Sequence, residues 1–283
     1  MGYEDNPKSI KYYVKRYLLK NSAKFSKKIV IDFPTGSGIT SQILKSVGAH
    51  PMPFDLFPEF FEVEGVVCQK ADIHEGIPTD NHTADYLICQ EGIEHFSDQI
   101  QAFREFNRVL KPGGELIITT PNYGNLRSRL SYFLGESERY NTLMPPNELD
   151  SIWFSGDDDS SDFYLGHIFL IGIQKLRVIA RLSGFEIIDI QFTRARPTST
   201  LLLPFFYPLI YLSNLINYRK NLRKKNGINR EIKEKVYGEI FRLGINIKLL
   251  VDSHLFVCFR KVSALDQVKS ELKKHIQPNE LII

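Results

Sequence analysis

The stretch "IVIDFPTGSGITSQIL", residues 29–44, decides how the rest of the chain is read. An apolar run, Ile29 to Ile31, closes on Asp32; Gly36 and Gly38 follow; then Ser41 to Val47 carry helical spacing that ends near Gly48. A strand that breaks into a glycine turn and re-forms as a helix is the way α/β proteins hold nucleotide-like cofactors. Pro34 stands where such turns usually have their first glycine, and proline fixes φ and removes a backbone donor. Taken alone the turn is weak evidence, because the same pattern serves as a plain strand-to-helix connection.

The flanks supply the context. From Lys8 to Lys20, Ile10, Tyr13, Val14, Tyr17 and Leu18 fall at helical spacing and predict a basic amphipathic helix. Short apolar strands are expected at Met52–Phe54, which ends in Asp55, at Val66–Cys68 and at Tyr86–Cys89. Gln99–Leu110 reads as an amphipathic helix stopped by Lys111-Pro112-Gly113-Gly114, and Glu115–Thr120 as a strand ending at Pro121-Asn122. Residues 123–166 are loop-rich and carry the acidic run Asp157-Asp158-Asp159, better read as a solvated loop than as a ligand set. A helix at Ile168–Leu182, a strand at Phe185–Phe192 and a last strand at Leu255–Phe259 complete the pattern. Strand alternating with helix predicts an α/β fold, an open parallel sheet with helices on both faces. Ligands of such sheets sit at the carboxyl ends of the strands. Asp32, Asp55, Asp72, Gln90 and Asn122 all fall at or just beyond such ends.

Composition narrows the class. A chain of 283 residues with 43% hydrophobic residues can bury a full core. A formal charge of +3 does not by itself imply a nucleic-acid partner. Cys68, Cys89 and Cys258 are widely spaced and form no CxxC pair, which argues against a disulfide framework or structural zinc and for a reducing compartment. The N-terminal residues lack the apolar core of a secretory signal, so a cytoplasmic location is expected. No internal repeat is visible.

Asp55 follows the glycine turn by about twenty residues, where a ribose-binding carboxylate is expected. An acidic residue ahead of the glycines suits a cofactor bearing an ammonium group better than one bearing phosphates. The segments "VIDFPTGSG", "FDLFP", "ADIHEGIP", "ADYLICQEGIEHFSD", "FREFNRVLKPGGELIITTPN" and "LRVIARLSGFEIIDI" occur in one order over about residues 8–192. In that order and at those intervals the chain resembles the class I S-adenosylmethionine-dependent methyltransferases, and "HLFVCFRK" resembles their last, antiparallel strand. The resemblance implies a Rossmann-like, mostly parallel seven-stranded sheet flanked by helices, with a helical insertion before the last strand. Residues 1–192 and 252–263 would form the cofactor-binding domain, 193–251 the insertion and 264–283 a C-terminal tail.

The resemblance also implies roles. Asp32 would neutralise the methionyl ammonium, directly or through water, with Gly36 and Gly38 letting the backbone approach. Asp55 would accept from the ribose hydroxyls, Asp72 from the adenine amino group with Ile73 against the ring, and Gln90 would line the methionine side. Pro34 departs from the family's first glycine and puts the affinity of the loop in question. The rival class is a methyltransferase fold that has lost activity and serves as a binding scaffold. Pro34 alone supports it, and the intact acidic positions weigh against it.

"QEGIEHF" holds Glu91, Glu94 and His95, and His167 in "YLGHIFL" lies where a second loop returns to the same strand ends. Two carboxylates and two imidazoles can bind a divalent ion. Similar sets occur in metal-assisted O-methyltransferases of ubiquinone biosynthesis and of small-RNA 2′-O-methylation, where the ion lowers the pKa of the acceptor hydroxyl. Without a metal, His95 or His167 is the candidate general base. An acidic-histidine pair is also common in the family without any metal.

The insertion bears on the acceptor. It is uncharged from Pro197 to Tyr218 and then carries Arg219, Lys220, Arg223, Lys224, Lys225 and Arg230. Leaving the carboxyl end of the preceding strand, it should emerge on the active-site face. An apolar segment beside basic residues reads as a membrane-surface element, and equally as a packed lid helix with a solvated basic face. Pro204 and Pro208 argue against a full span. Either form favours a small-molecule, sugar or lipid-linked hydroxyl acceptor. RNA 2′-O-methylation is the alternative reading of the cations, but the aromatic-basic interleaving that stacks bases is not evident.

Overall fold

The computed structural model describes residues 2–139, 142–154, 163–224 and 227–275. Helix α1 (Ile10–Lys20) forms where expected, capped by Ser9 Oγ, which accepts from the Lys11 amide at 3.2 Å. Its buried residues are Ile10, Val14 and Leu18, spaced at i, i+4 and i+8, so one face seals the sheet while Arg16 and Lys20 stay in water. The short helix α2 (Ser22–Phe25) ends on the buried Phe25 and leads into strand β1 (Ile29–Asp32). Helix α3 (Ile39–Ser46) follows the glycine turn two residues earlier than its apolar spacing suggested.

Strands β2 (His50–Asp55), β3 (Gln69–Lys70) and β4 (Ala84–Gln90) come next. Pairing at β3 begins only after the apolar run Val66–Cys68; Val67 itself is exposed, so the run lies outside the ladder. Helix α4 (Gln99–Val109) buries Phe103 and Phe106 against the sheet and feeds strand β5 (Leu110–Pro121). The Lys-Pro-Gly-Gly segment belongs to this strand: it ends the helix, but the ladder with β4 resumes across a register shift between Ala84 and Tyr86.

Residues 123–166 contain more structure than their composition suggests, namely helix α5 (Leu126–Gly135) and an antiparallel pair, β6 (Ile152–Phe154) and β7 (Phe163–Leu165). The acidic run 157–159 lies outside the described residues. Helix α6 (Ile173–Leu182) starts after an extended Gly172, later than the run from Ile168, and leads to β8 (Phe185–Ile190). Helices α7 (Pro197–Arg223), α8 (Arg230–Gly244) and α9 (Ile247–Val251) separate β8 from β9 (His254–Lys261), and α10 (Leu265–His275) closes the described chain.

The seven-stranded sheet has the order β3-β2-β1-β4-β5-β9-β8. Its first five strands run parallel, β9 is antiparallel to both its neighbours, and β8 therefore runs with the rest. The strand order reverses between β1 and β4. Their carboxyl ends open the crevice that an open α/β sheet uses for ligands.

One glycine in that crevice is fixed by packing. Gly38 has φ +89°, and a Cβ there would lie 2.5 Å from Phe61 Cε2 and 2.6 Å from Val63 Cγ2. Gly38→Ala combines a left-handed backbone with overpacking and is expected to destabilise the fold by about 2–3 kcal/mol. Urea unfolding checks this, and an unchanged midpoint would show that the turn can shift away from both side chains.

Candidate active site

Asp32 ends β1 and is 1% exposed. Its Oδ2 accepts from the Thr35 and Ser41 hydroxyls, both at 2.7 Å, while Oδ1 is buried with no hydrogen-bond partner. Burial pushes this carboxyl up to about 6, against the opposing hydrogen bonds from Ser41 and Thr35. A buried lone-pair oxygen left open is costly unless a donor from outside the chain meets it.

Asp55 ends β2 and is 7% exposed. Its Oδ2 accepts from the Gly36 amide at 2.7 Å and its Oδ1 from the Phe57 amide at 3.0 Å. The carboxylate thus ties the glycine turn to β2 and keeps a second lone pair on each oxygen. Gly36 sits at φ +54° with no atom within 4 Å of where a Cβ would be, so its backbone borders open space.

Pro34 follows a cis peptide bond, and its ring packs on Gly92, where a Cβ would lie 2.3 Å from the Pro34 Cδ. Pro34 and Asp55 together line two cavities. One, of 220 Å³, has Lys11, Gly36, Thr40, Gln90 and Glu91 on its walls. The other, of 270 Å³, has Phe57, Asp72, Ile73, His95 and Tyr164. Within the first, Gln90 Oε1 accepts from the Thr40 hydroxyl at 2.9 Å. In the second, Asp72 Oδ1 accepts from the His74 amide at 2.9 Å, Ile73 is buried, and Phe57 meets Tyr164 edge-on with ring centroids 4.9 Å apart.

The acidic-histidine group divides in two. Glu94, His95 and His167 each offer a ligand atom within 4.8 Å of the others, and the two imidazole centroids are 5.3 Å apart. Glu94 is fully buried; its Oε2 accepts from the Thr120 hydroxyl at 3.0 Å and its Oε1 has no partner. Glu91 is not part of that trio. It adopts φ +48°, its amide donates to the Thr119 carbonyl at 3.0 Å, and its Oε2 lies 3.7 Å from Nε2 of His254. Burial raises both carboxyls well above their usual range, with repulsion from Glu94 adding to the effect at Glu91. Burial, then the neighbouring His95, holds His167 below the ordinary imidazole value. Burial, reinforced by Arg194 and Arg196, lowers His254 to about 4 and keeps it neutral.

The candidate residues therefore converge on one end of the sheet, with Glu91 set apart from the other three acid–imidazole groups. Residues the sequence did not single out also line the site: Lys11, Thr40, Phe57, Tyr164 and, facing Glu91, His254. The hydroxyls at 35 and 41 were visible in the turn itself. Lys11 meets cavity walls up to eighty residues away, and the contact of His254 with Glu91 spans more than half of the chain, so neither leaves a local pattern.

Comparison with known proteins accords with this geometry. A family model described as a methyltransferase domain matches residues 7–190. The demethylmenaquinone methyltransferase of Chlorobaculum parvum is 31% identical over 97 residues, 32% of this chain and 40% of that protein. The ubiquinone biosynthesis O-methyltransferase of Proteus mirabilis is 30% identical over 123 residues, 39% of this chain and 46% of that protein. The chain thus spans less than half the length of these curated relatives. A solved SAM-dependent methyltransferase from Archaeoglobus fulgidus shares the fold, with a TM-score of 0.51 at 15% identity over 92% of this chain and 98% of that one. With the matched model covering well over half of the residues, and the sheet order and crevice as described, the chain belongs to the class I S-adenosylmethionine-dependent methyltransferase family.

Proposed function

We propose that the protein transfers a methyl group from S-adenosylmethionine to a hydroxyl oxygen of an apolar acceptor, of the quinone-precursor or lipid-linked kind. The observation that carries the cofactor half is Asp55, tied to the glycine turn and shared by the two cavities, with the open oxygen of Asp32 buried beneath the same turn. When bound, S-adenosylmethionine supplies an electrophilic methyl on a sulfonium. Asp55 accepts from the ribose hydroxyls with its spare lone pairs. Asp72 and Ile73 hold adenine in the larger cavity, beside Phe57 and Tyr164. Gln90 and Lys11 take the methionyl carboxylate in the smaller one, and Asp32 balances the ammonium. For the acceptor, the oxygen is supported by the name of the Proteus mirabilis relative, and the quinone-like, apolar character by the names of both partial relatives and by the apolar helix after β8.

The Asp32 assignment has a pH signature. Its carboxyl, raised to about 6 in the free protein, must be ionised to balance an ammonium. Below that pH binding has to displace a proton, so affinity is expected to fall by about tenfold per pH unit. Asp32→Asn should bind weakly and lose that slope. A wild-type dissociation constant that stays flat from neutral pH to pH 5 sinks the role.

Glu94, His95 and His167 form a candidate site for a divalent ion, a second reading favoured by the unpartnered Oε1 of the buried Glu94. The ion would orient and acidify the acceptor hydroxyl. Without it, His95 or His167, the latter held neutral near pH 7, takes the proton.

Incubating the purified protein with methyl-labelled cofactor and cell extract tests the whole reading. Label is expected in an organic-extractable compound as an alkali-stable ether. Label in RNA or protein overturns the acceptor class, and no cofactor binding by calorimetry favours the inactive scaffold.

A further inference from the structure

Helix α7 carries two apolar faces, of which the protein covers one. Leu203, Tyr207, Ile210, Asn214 and Tyr218 are half-buried along the face that meets α8, where Phe241 packs on Tyr211 and Tyr218 with ring centroids 5.9 and 5.5 Å away. Leu201, Phe205, Leu209, Leu212 and Ile216 are 54–71% exposed. At 3.6 residues per turn these five fall within an arc of about 80°, opposite the packed face. Arg219 and Arg223 continue the same line.

We infer that α7 is a peripheral docking element that lies along the surface of an anionic lipid bilayer. Charge selects the occupant. Residues 191–230 contain no acidic side chain and eight basic ones, with Arg194 and Arg196 ahead of the apolar stripe and Arg219, Lys220, Arg223, Lys224, Lys225 and Arg230 after it. An apolar stripe bracketed by cations matches the acyl–headgroup boundary of an anionic leaflet. A second copy of the chain matches poorly. Parallel pairing along the stripe sets Arg219 and Arg223 against themselves, antiparallel pairing sets them against Arg194 and Arg196, and no carboxylate in the segment offsets either.

The helix is long enough to cross a membrane, yet its packing opposes that. It is bound to α8 by Phe241 and again at Gly244, where a Cβ would lie 2.4 Å from the Asn214 Oδ1. Its first turn is tied to α5 by Ser199, which accepts from the Arg127 amide and donates to the Asn125 side chain. Crossing requires tearing off the face that these contacts cover. Lying flat exposes to lipid only what is already exposed. Because β8 runs with the parallel strands, the segment also leaves the sheet at the cofactor end. The inference concerns binding alone and holds whatever the acceptor is.

The test is co-sedimentation of the full chain with phosphatidylglycerol–phosphatidylcholine vesicles and with pure phosphatidylcholine, at low and high salt. Binding is expected to be at least about tenfold tighter to the anionic vesicles and to weaken with salt. Phe205→Ser with Leu209→Ser should abolish it, and Arg219→Gln with Arg223→Gln should remove the preference for anionic lipid. Calorimetry with S-adenosylmethionine and circular dichroism check that each variant is folded. Protein that stays in the supernatant throughout overturns the inference. So does protein that resists a carbonate wash, which means a span, or a lipid-free dimer that the serine pair converts to monomer, which means a self-association seam.

Discussion

Asp55→Ala is expected to weaken S-adenosylmethionine binding about a hundredfold. Two ribose hydroxyls donating to a carboxylate are worth at least about 1.5 kcal/mol each, and about 3 kcal/mol corresponds to a factor near 150. The same substitution unties the Gly36 and Phe57 amides, which now donate to the two carboxylate oxygens, so the glycine turn also loses its anchor. Asp55→Asn separates the effects. Its single carbonyl oxygen can keep one backbone bond, while its amide nitrogen faces donors on the other side. The asparagine variant should lose less stability than the alanine variant but still bind weakly, a split that thermal unfolding and calorimetry resolve. An unchanged dissociation constant in the alanine variant sinks the ribose assignment, whatever the turnover.

His95→Ala is expected to lower turnover by roughly 10²–10⁴-fold, the usual worth of a positioned proton acceptor. Cofactor affinity should fall less than in Asp55→Ala, since His95 is one of several walls of the larger cavity whereas Asp55 lines both cavities and anchors the glycine turn. Glu94→Gln distinguishes the two chemistries. With a divalent ion the glutamine removes a charged ligand, so calorimetric binding of Mg²⁺, Mn²⁺ or Zn²⁺ and chelator-sensitive activity fall together. With a metal-free base, chelator has no effect, no ion binds, and the loss in His95→Ala or His167→Ala is largest at and above neutral pH, where the imidazole is unprotonated, so that the acid limb of the pH profile flattens. Full activity in both His95→Ala and His167→Ala would remove this group from catalysis altogether.

How much of this was legible in the sequence differs from element to element. The α/β class, the glycine turn, and the acidic residues closing β1 and β2 are short-range features. Apolar periodicity, glycine at left-handed positions and a strand-ending carboxylate are each decided within a few residues, so "IVIDFPTGSG" and "FDLFP" could be read directly. Helix α1 and the stripe Ile10–Val14–Leu18 were legible for the same reason. Helix α5 was not, because its residues are held by caps and by Ser199 of a helix some seventy residues later rather than by a clear apolar period. The pairing start at β3 was missed by a few residues, since an edge strand's register is set by its neighbour and not by its own composition.

What only the tertiary structure decided is which side chains meet. Glu91, Glu94 and His95 share one short motif, yet the turn at Glu91 sends it toward His254, a contact spanning more than half of the chain, and leaves Glu94 and His95 to join His167. Pro34 looked like a defect in a glycine loop; packed on Gly92, it became a wall common to both cavities. The apolar run after Pro197 announced its own hydrophobicity, but a run that is apolar all round cannot say which face the protein covers. The packing of α8 settled that, because burial belongs to the neighbour an element finds and not to the residues that compose it.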